Sequence, residues 1–139
     1  MRISITREYT WEMGHALYRH KGKCYNPHGH NYRMEVEVSG EVHETTGMVI
    51  DFSALDDVIK PHLEMYYDHS FHVNADDPRF NGKEQSITWV VSHSYYEPTA
   101  ERLAMGLHFD ISQELPEHLT IERLTLYETD KSSATVRST

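Results

Sequence analysis

Three histidines have the residue type and spacing of a metal site. His28 and His30 flank Gly29, which has no side chain to crowd an ion. Residues i and i+2 of a strand point to the same side, so both imidazoles can reach one metal. His15 ends an upstream alternating segment on its apolar parity, and it supplies a third nitrogen if the two segments pair. Three neutral histidines leave a fourth position open, which is typical of catalytic zinc.

Cys24, the only cysteine of the chain, lies four residues before His28. It could be a fourth zinc ligand, an inert buried residue or a reactive thiol, and spacing alone does not choose among these. A thiolate beside a cation has a lowered pKa, which suits a base or a nucleophile. A lone thiol in a chain without a recognisable secretory leader indicates a reducing compartment, so we expect a cytoplasmic protein.

Two further carboxylate positions could carry chemistry. Asp68 precedes His69, and a carboxylate that holds an imidazole sets its tautomer and raises its basicity. Adjacent strand residues point oppositely, so this dyad requires a turn of the backbone. Glu128 ends an alternating segment on the core-facing parity, where burial without a partner is costly. It is either a solvated strand end or the acceptor of a donor pair on a ligand with an amidine-like edge.

The elements that must position these residues follow from periodicity. Alternation predicts strands up to His15, after the HGH sequence, over residues 119–128 and over residues 133–137. A helix is expected from Asp51 or Ser53, with a break or kink at Pro61. A second helix should run from Thr99 until Pro116 ends it.

The stretch between the helices, residues 71–97, has less regular periodicity, apart from a short strand at 86–91. The order strand, strand, helix, possible strand, helix, strand, strand predicts an α+β class with antiparallel pairing. Residues 1–139 are expected to form one domain.

Charge and hydropathy exclude two classes of partner. The formal net charge of −9 disfavours a general nucleic-acid binder, which neutralises phosphates with a basic surface. No apolar run approaches the roughly eighteen residues of a membrane helix, so no membrane contact is expected. Most of the eleven histidines must be bystanders, and this reading is given to seven: His20, His43, His62, His72, His93, His108 and His118.

The motifs together resemble the 6-pyruvoyl-tetrahydropterin synthase and 6-carboxy-tetrahydropterin synthase family. The resemblance covers essentially the whole chain in the family's order. Its most specific part is CYNPHGHNY with the upstream histidine of WEMGHAL, and the other matching stretches are TGMVIDFSAL, YDHSFHVN, EPTAERLA and LYETDKS.

The resemblance implies a T-fold, an antiparallel sheet of four main strands with two helices on one face, here with an extra strand near residues 86–92. It also implies assembly into barrels with active sites between neighbours, and we expect a homo-oligomer, a hexamer built as a dimer of trimers. By the resemblance, His15, His28 and His30 bind zinc, and Cys24 transfers a proton. Asp68 and His69 form a second acid–base pair. Glu128 anchors the pterin, and Thr99 and Glu101 lie near the same pocket.

The substrate implied by the resemblance is 7,8-dihydroneopterin triphosphate. Three residues separate Cys24 from HGH, as in the carboxy-forming branch, whereas pyruvoyl-forming relatives have five. That branch releases triphosphate and acetaldehyde and forms 6-carboxy-5,6,7,8-tetrahydropterin on the route to queuosine. Candidate triphosphate ligands are Arg19, His20, Lys21, Lys23 and Lys131.

Three rival functions stay open. The first two are a pyruvoyl-forming synthase and an aldolase acting on dihydroneopterin. The third is a non-catalytic zinc-binding or ligand-binding module, which the unpaired cysteine beside a three-histidine site disfavours.

Overall fold

The computed structural model describes residues 1–80 and 90–138. The described residues form an α+β structure, as predicted, in which six strands make one sheet with the order β4-β3-β1-β2-β5-β6. The elements are β1 Arg2–Ala16, β2 His28–Glu41, α1 Phe52–Tyr66, β3 Ser70–Asn74, β4 Val90–Ser94, α2 Ala100–Glu114, β5 Thr120–Thr129 and β6 Ser132–Arg137.

The antiparallel hairpin of β1 and β2 forms the centre of the sheet. Its register places His15 opposite His28 and Met13 opposite His30. Alternate residues of both strands face one side, where they form the core with the helices. The predicted parity is therefore confirmed, and the sheet residues buried in this core are Tyr9, Trp11, Met13, Tyr32, Met34, Val36, Val38, Ile121, Leu124 and Leu126.

Helix α1 begins as the sequence predicts but continues further. The Asp51 side chain caps it by accepting a hydrogen bond from the Ser53 amide at 2.8 Å. Of the predicted break or kink at Pro61, the break is wrong, because the helix runs on to Tyr66, and the kink stays a prediction. Pro61 lies on the exposed side, where water can solvate the carbonyl that loses its amide partner.

Helix α2 has the predicted bounds. The Thr99 hydroxyl accepts from the Arg102 amide at 3.2 Å, and the C-terminal cap is Leu115, directly before Pro116. Its buried side packs on the same core as α1, so both helices cover one face of the sheet, as predicted. Among the described residues, neither helix is long and apolar enough to cross a membrane.

The structure differs from the prediction at β3 and β4. The irregular structure expected from residue 71 is wrong for Ser70–Asn74, which pairs in parallel with the end of β1. β4 pairs in parallel with β3, so a strand covers Val90–Ser94 at the end of the stretch where the extra strand near residues 86–92 was predicted, and residues 81–89 lie outside the described part. All five residues of β3 are buried, and its polar side chains are hydrogen-bonded, so it lacks the alternation of a half-exposed strand.

Candidate metal centre and active site

The three predicted ligands meet at one end of the central hairpin. The ring nitrogens that His15, His28 and His30 can offer to a metal all lie within 4.8 Å of one another. We call these three residues the histidine cluster. They project from the core-facing side of β1 and β2, His30 one position and the His15–His28 pair two positions beyond the stacked rings of Trp11 and Tyr32 on that face. His15 is 1% exposed, and the other two are partly buried.

Backbone carbonyls determine which nitrogens face the centre of the histidine cluster. His15 Nδ1–H donates to the Pro98 carbonyl at 2.7 Å, and His28 Nδ1–H donates to the Asn26 carbonyl at 2.7 Å. Since a carbonyl only accepts, both rings keep a lone pair on Nε2 when neutral. This arrangement of a ligand held through its other nitrogen is usual in metal sites.

The geometry of the free nitrogens fits a cation. The Nε2 atoms of His15 and His28 lie 3.0 Å apart, where two lone pairs repel unless a proton or a metal lies between them. His30 Nε2 is buried and has no hydrogen-bond partner among the described residues, although Glu128 Oε1 lies 3.5 Å away. Three convergent imidazole nitrogens with a carboxylate beside them are a donor set suited to zinc.

The electrostatics of the histidine cluster favour the neutral form of His15 and of His30. Burial lowers the pKa of His15, and the nearby His28 lowers it further, against the Pro98 hydrogen bond that raises it. Burial also lowers the pKa of His30, against the attraction of Glu128. Neutral imidazole is the form that binds a metal, so ligation does not compete with a proton at neutral pH.

Asp68 and His69 form a hydrogen-bonded pair directly after α1. His69 has φ of 58°, the turn that two adjacent residues need in order to meet. Its amide donates to the Glu12 carbonyl at 2.7 Å, and its Nδ1–H donates to Asp68 Oδ1 at 2.7 Å. The remaining Nε2 lies 3.6 Å from Glu12 Oε2, and the His69 side chain is 74% exposed. The ring is therefore held by Asp68 through its Nδ1 and is otherwise largely exposed to solvent.

The dyad and the histidine cluster share a cleft of about 560 Å³. His28, His30 and His69 border it, whereas His15 and Asp68 are absent from the lining found among the described residues. The other lining residues are Glu12, Met13, Gly14, Pro27, Gly29, Asn31, Ser70 and Phe71. Within the described residues, Cys24 is not part of this lining. It lies in the short 3-10 helix Lys23–Tyr25 of the β1–β2 loop, partly buried and with a free thiol.

Two of the three remaining predicted residues line a second cavity. Glu128 and Glu101 both line this cavity of about 440 Å³, which lies between α2 and the β5–β6 end. Glu128 therefore borders the cavity and also lies beside His30 of the histidine cluster. Thr99 is absent from the lining found among the described residues, and its hydroxyl caps α2. The structure thus brings Glu101 to Glu128, and it gives Thr99 a structural role at the helix start.

Sequence reasoning missed the groups that hold the histidines. Pro98 lies 83 residues from the ring that it binds, and its contribution is a backbone carbonyl that no side-chain pattern reveals. Its neighbour Glu97 accepts from the Arg19 amide at 2.8 Å and from Asn74 Nδ2 at 3.2 Å. The one available signal was local, because Asn26 lies two residues before His28 and can reach its ring.

Comparison with known proteins assigns the family. A family model described as 6-pyruvoyl tetrahydropterin synthase matches residues 4–139. The chain belongs to this family. A relative from Haemophilus influenzae named 6-carboxy-5,6,7,8-tetrahydropterin synthase is 32% identical over 136 residues, which cover 94% of this chain and 95% of that protein. A 6-pyruvoyl tetrahydrobiopterin synthase from Poecilia reticulata is 35% identical over 118 residues, covering 84% and 70%. This family member is therefore a lyase-type enzyme.

Solved structures confirm the predicted T-fold for this family member. An uncharacterized protein from Wolinella succinogenes superposes with a TM-score of 0.81 at 22% identity, covering 100% of this chain and 99% of that one. The 6-pyruvoyl tetrahydropterin synthase of Caenorhabditis elegans superposes with a TM-score of 0.72 at 24% identity, covering 100% and 97%. At these identities the likeness supports the fold.

Proposed function

We propose that this enzyme is a zinc-dependent 6-carboxy-tetrahydropterin synthase. It converts 7,8-dihydroneopterin triphosphate to 6-carboxy-5,6,7,8-tetrahydropterin, with release of acetaldehyde and triphosphate. Atom balance requires one water. Elimination of triphosphate consumes none, so the water is consumed at the carbon–carbon cleavage, where its oxygen becomes part of the new carboxylate and the two-carbon fragment leaves as acetaldehyde. Two features support this choice within the family: the name of relatives that cover over nine-tenths of the chain, and the three residues between Cys24 and HGH.

The observation that carries the proposal is the convergence of His15, His28 and His30 beside the carboxylate of Glu128. A zinc ion bound by these three nitrogens supplies Lewis-acid polarisation of substrate side-chain oxygens, which acidifies the neighbouring C–H. The carbonyls of Pro98 and Asn26 hold two of the rings in the tautomer that ligation requires.

Proton movement belongs to two groups of the chain. Asp68 keeps the His69 proton on Nδ1, so His69 Nε2 can accept or return a proton at the cleft. Cys24, on the loop beside His28, is the second carrier and acts as a thiolate. Each such role typically contributes about 10²–10⁴-fold to the rate.

Substrate recognition is assigned to Glu128. Its two carboxylate oxygens match the amino and ring N–H groups of a pterin, which present two parallel donors. The cavity that Glu128 borders also receives Glu101, which we assign to the same pocket, and Thr99 supports it by holding the start of α2. Because the described cleft and cavity are separate in one chain, the proposal includes a homo-oligomer, expected to be a hexamer, whose assembly completes the site.

One incubation tests the proposed function. The purified, zinc-loaded protein is mixed with 7,8-dihydroneopterin triphosphate, and acetaldehyde and the pterin product are quantified. Stoichiometric acetaldehyde with 6-carboxy-tetrahydropterin supports the proposal. Triphosphate release without acetaldehyde would instead indicate the pyruvoyl-forming reaction, a rival function that the name of the Poecilia relative supports. A different aldehyde would indicate an aldolase. Binding without turnover would leave a non-catalytic module.

A further inference from the structure

The loop that carries Cys24 has few anchors of its own. No residue of the 3-10 helix Lys23–Tyr25 is buried, so the core does not hold it. One backbone bond crosses the loop, from the Leu17 amide to the Cys24 carbonyl at 2.9 Å. A thiol that must move a proton needs a position fixed to a fraction of an ångström, so other contacts must restrain this loop.

Arg79 makes such a contact. Its Nη1 donates to the Tyr25 carbonyl at 2.7 Å, and its guanidinium lies 3.7 Å from the centre of the Tyr25 ring. Arg79 thus holds Tyr25 both by a hydrogen bond to its carbonyl and by a cation–π interaction with its ring. Tyr25 is the next residue after Cys24, so fixing its carbonyl and ring restrains the backbone that carries the thiol.

Arg79 is itself held rigidly by Asp77. The Asp77 carboxylate accepts from Arg79 Nε at 3.0 Å, from Nη2 at 2.8 Å and from the Arg79 amide at 3.0 Å. The Asp77 side chain is 0% exposed. Burial would raise its pKa, but the hydrogen bonds from Arg79 outweigh burial and lower it, so the carboxylate stays charged. The Asp77 amide donates to the Asn74 carbonyl, which connects the pair to the end of β3.

A second, weaker connection joins the same two segments. Arg19 Nη2 lies 3.3 Å from Asp76 Oδ2, and the Arg19 amide also donates to Glu97, which lies on a third segment directly before α2. Both side chains of the Arg19–Asp76 pair are well exposed, so this ion pair adds little by itself. The buried Asp77–Arg79 pair is therefore the principal restraint.

We propose that Arg79, held by Asp77, is a positioning residue that fixes the Cys24 thiol by clamping Tyr25. The segment after β3, residues 75–80, thereby affects the active site, although it is absent from the lining described for the cleft beside His28 and His30. This inference rests on the proposed function only in the assignment of proton transfer to Cys24. Its geometric part, the restraint of the loop, stands without that assignment.

The experiment measures the reactivity of the thiol and the turnover of the same variants. Because Cys24 is the only cysteine, a chromogenic disulfide reagent reports on this thiol alone. In Arg79→Ala the loosened loop should expose Cys24, and the labelling rate should rise about tenfold. A misplaced thiol should lower kcat about tenfold or more, with KM changed less than about twofold. Zinc content should equal that of the wild type.

Two variants and one control make the experiment specific. Arg79→Lys keeps the charge but lacks the planar fork, so its labelling rate and kcat should be intermediate. Asp77→Asn, which removes the charge that orients Arg79, should raise the labelling rate even if Arg79→Ala fails to fold. Arg7→Ala is the matched control, since Arg7 makes a similar paired contact with Asp56 and lies over Phe52, far from the loop.

Three outcomes would overturn the clamp. The first is an unchanged labelling rate in folded Arg79→Ala, and the second is an equal rise in Arg7→Ala, which would indicate general destabilisation. The third is zinc loss in Arg79→Ala, which would place the effect at the metal. If the wild type does not turn over dihydroneopterin triphosphate, the proposed function fails, while the labelling rates still decide the clamp.

Discussion

The histidine cluster and the cavity between the ends of α1 and α2 contain the same residue types but use them differently. This helix-end cavity, of about 540 Å³, is lined by His62, Tyr66, Tyr67, His72, Ser92, Asp110, Gln113 and Glu114. The histidine cluster contains three imidazoles and the helix-end cavity contains two, and each region has at least one carboxylate. The difference lies in the direction of the ring nitrogens.

In the helix-end cavity the two histidines lie beside different neighbours, and His62 Nε2, like His30 Nε2, has no hydrogen-bond partner among the described residues. His72 Nε2–H donates to the Tyr66 carbonyl at 3.1 Å, and its ring stacks on Tyr67 with centroids 5.2 Å apart. His62 Nε2 lies 3.2 Å from Asp110 Oδ2. In the histidine cluster, backbone carbonyls accept hydrogen bonds from the Nδ1–H groups of His15 and His28, and the Nε2 atoms of these two rings converge. Backbone placement, more than residue type, therefore decides whether histidine nitrogens converge on one point or lie beside separate neighbours.

The largest expected effect comes from removing a cluster ligand. His28→Ala and His30→Ala should lose the zinc, about one ion per chain in the wild type, and all measurable turnover, because two nitrogens hold zinc far less tightly than three. His62→Ala, from the helix-end cavity, should keep its zinc. Metal content by atomic emission after gel filtration checks both. Full zinc occupancy in the cluster variants would remove the distinction between the two regions.

Replacing Cys24 should separate chemistry from metal binding. Cys24→Ala should lower kcat by about 10²–10⁴-fold, the scale of a lost proton carrier, while zinc and fold remain. Single-turnover kinetics with metal analysis of the same sample checks this. Zinc loss would make Cys24 a fourth ligand and the site a closed one, and near-normal turnover would show that the thiol has no role.

The buried His72 should make stability depend on pH. Burial lowers its pKa from 6.5 to about 4; the Tyr66 hydrogen bond partly opposes this, and the nearby His15 adds to it. The folded state thus takes up the proton less readily than the unfolded chain. This contribution to stability is complete above about pH 6.5 and is lost as the pH falls towards 4.

His72→Phe keeps the stacked ring and removes this titration. Between pH 7.5 and 4.5 the wild type should lose about 2–3 kcal/mol more unfolding free energy than the variant. Urea denaturation of both proteins at the two pH values measures the difference. Parallel losses would mean that His72 is protonated as easily in the fold as in the unfolded chain.

The carboxylates of the two regions should differ in ligand binding. Glu128→Gln should weaken pterin binding by roughly 1.5–3 kcal/mol, the scale of a hydrogen bond to a charged group, with zinc retained. Asp110→Asn changes the carboxylate beside His62 and should leave pterin affinity unchanged. Isothermal titration with a non-reactive pterin tests both variants. Equal affinities of Glu128→Gln and the wild type would make Glu128 a solvated strand end.

Local pattern determined most of the fold and which residues are the candidate metal ligands. Alternation placed His15, His28 and His30 on the apolar side of β1 and β2, because side-chain direction in a strand follows from parity alone. The caps at Asp51 and Thr99 were equally local, since a capping side chain bonds to an amide two or three residues away. The HGH spacing also favoured the carboxy-forming branch.

Only the tertiary structure decided how the site is held. The carbonyl that orients His15 comes from Pro98, and the turn at His69 is anchored by the carbonyl of Glu12 on β1. The parallel strand β3 and the Asp77–Arg79 contact with Tyr25 depend in the same way on segments distant in sequence. Such backbone contacts leave no periodic trace, because their free energy depends on chain segments that meet only after the sheet has formed.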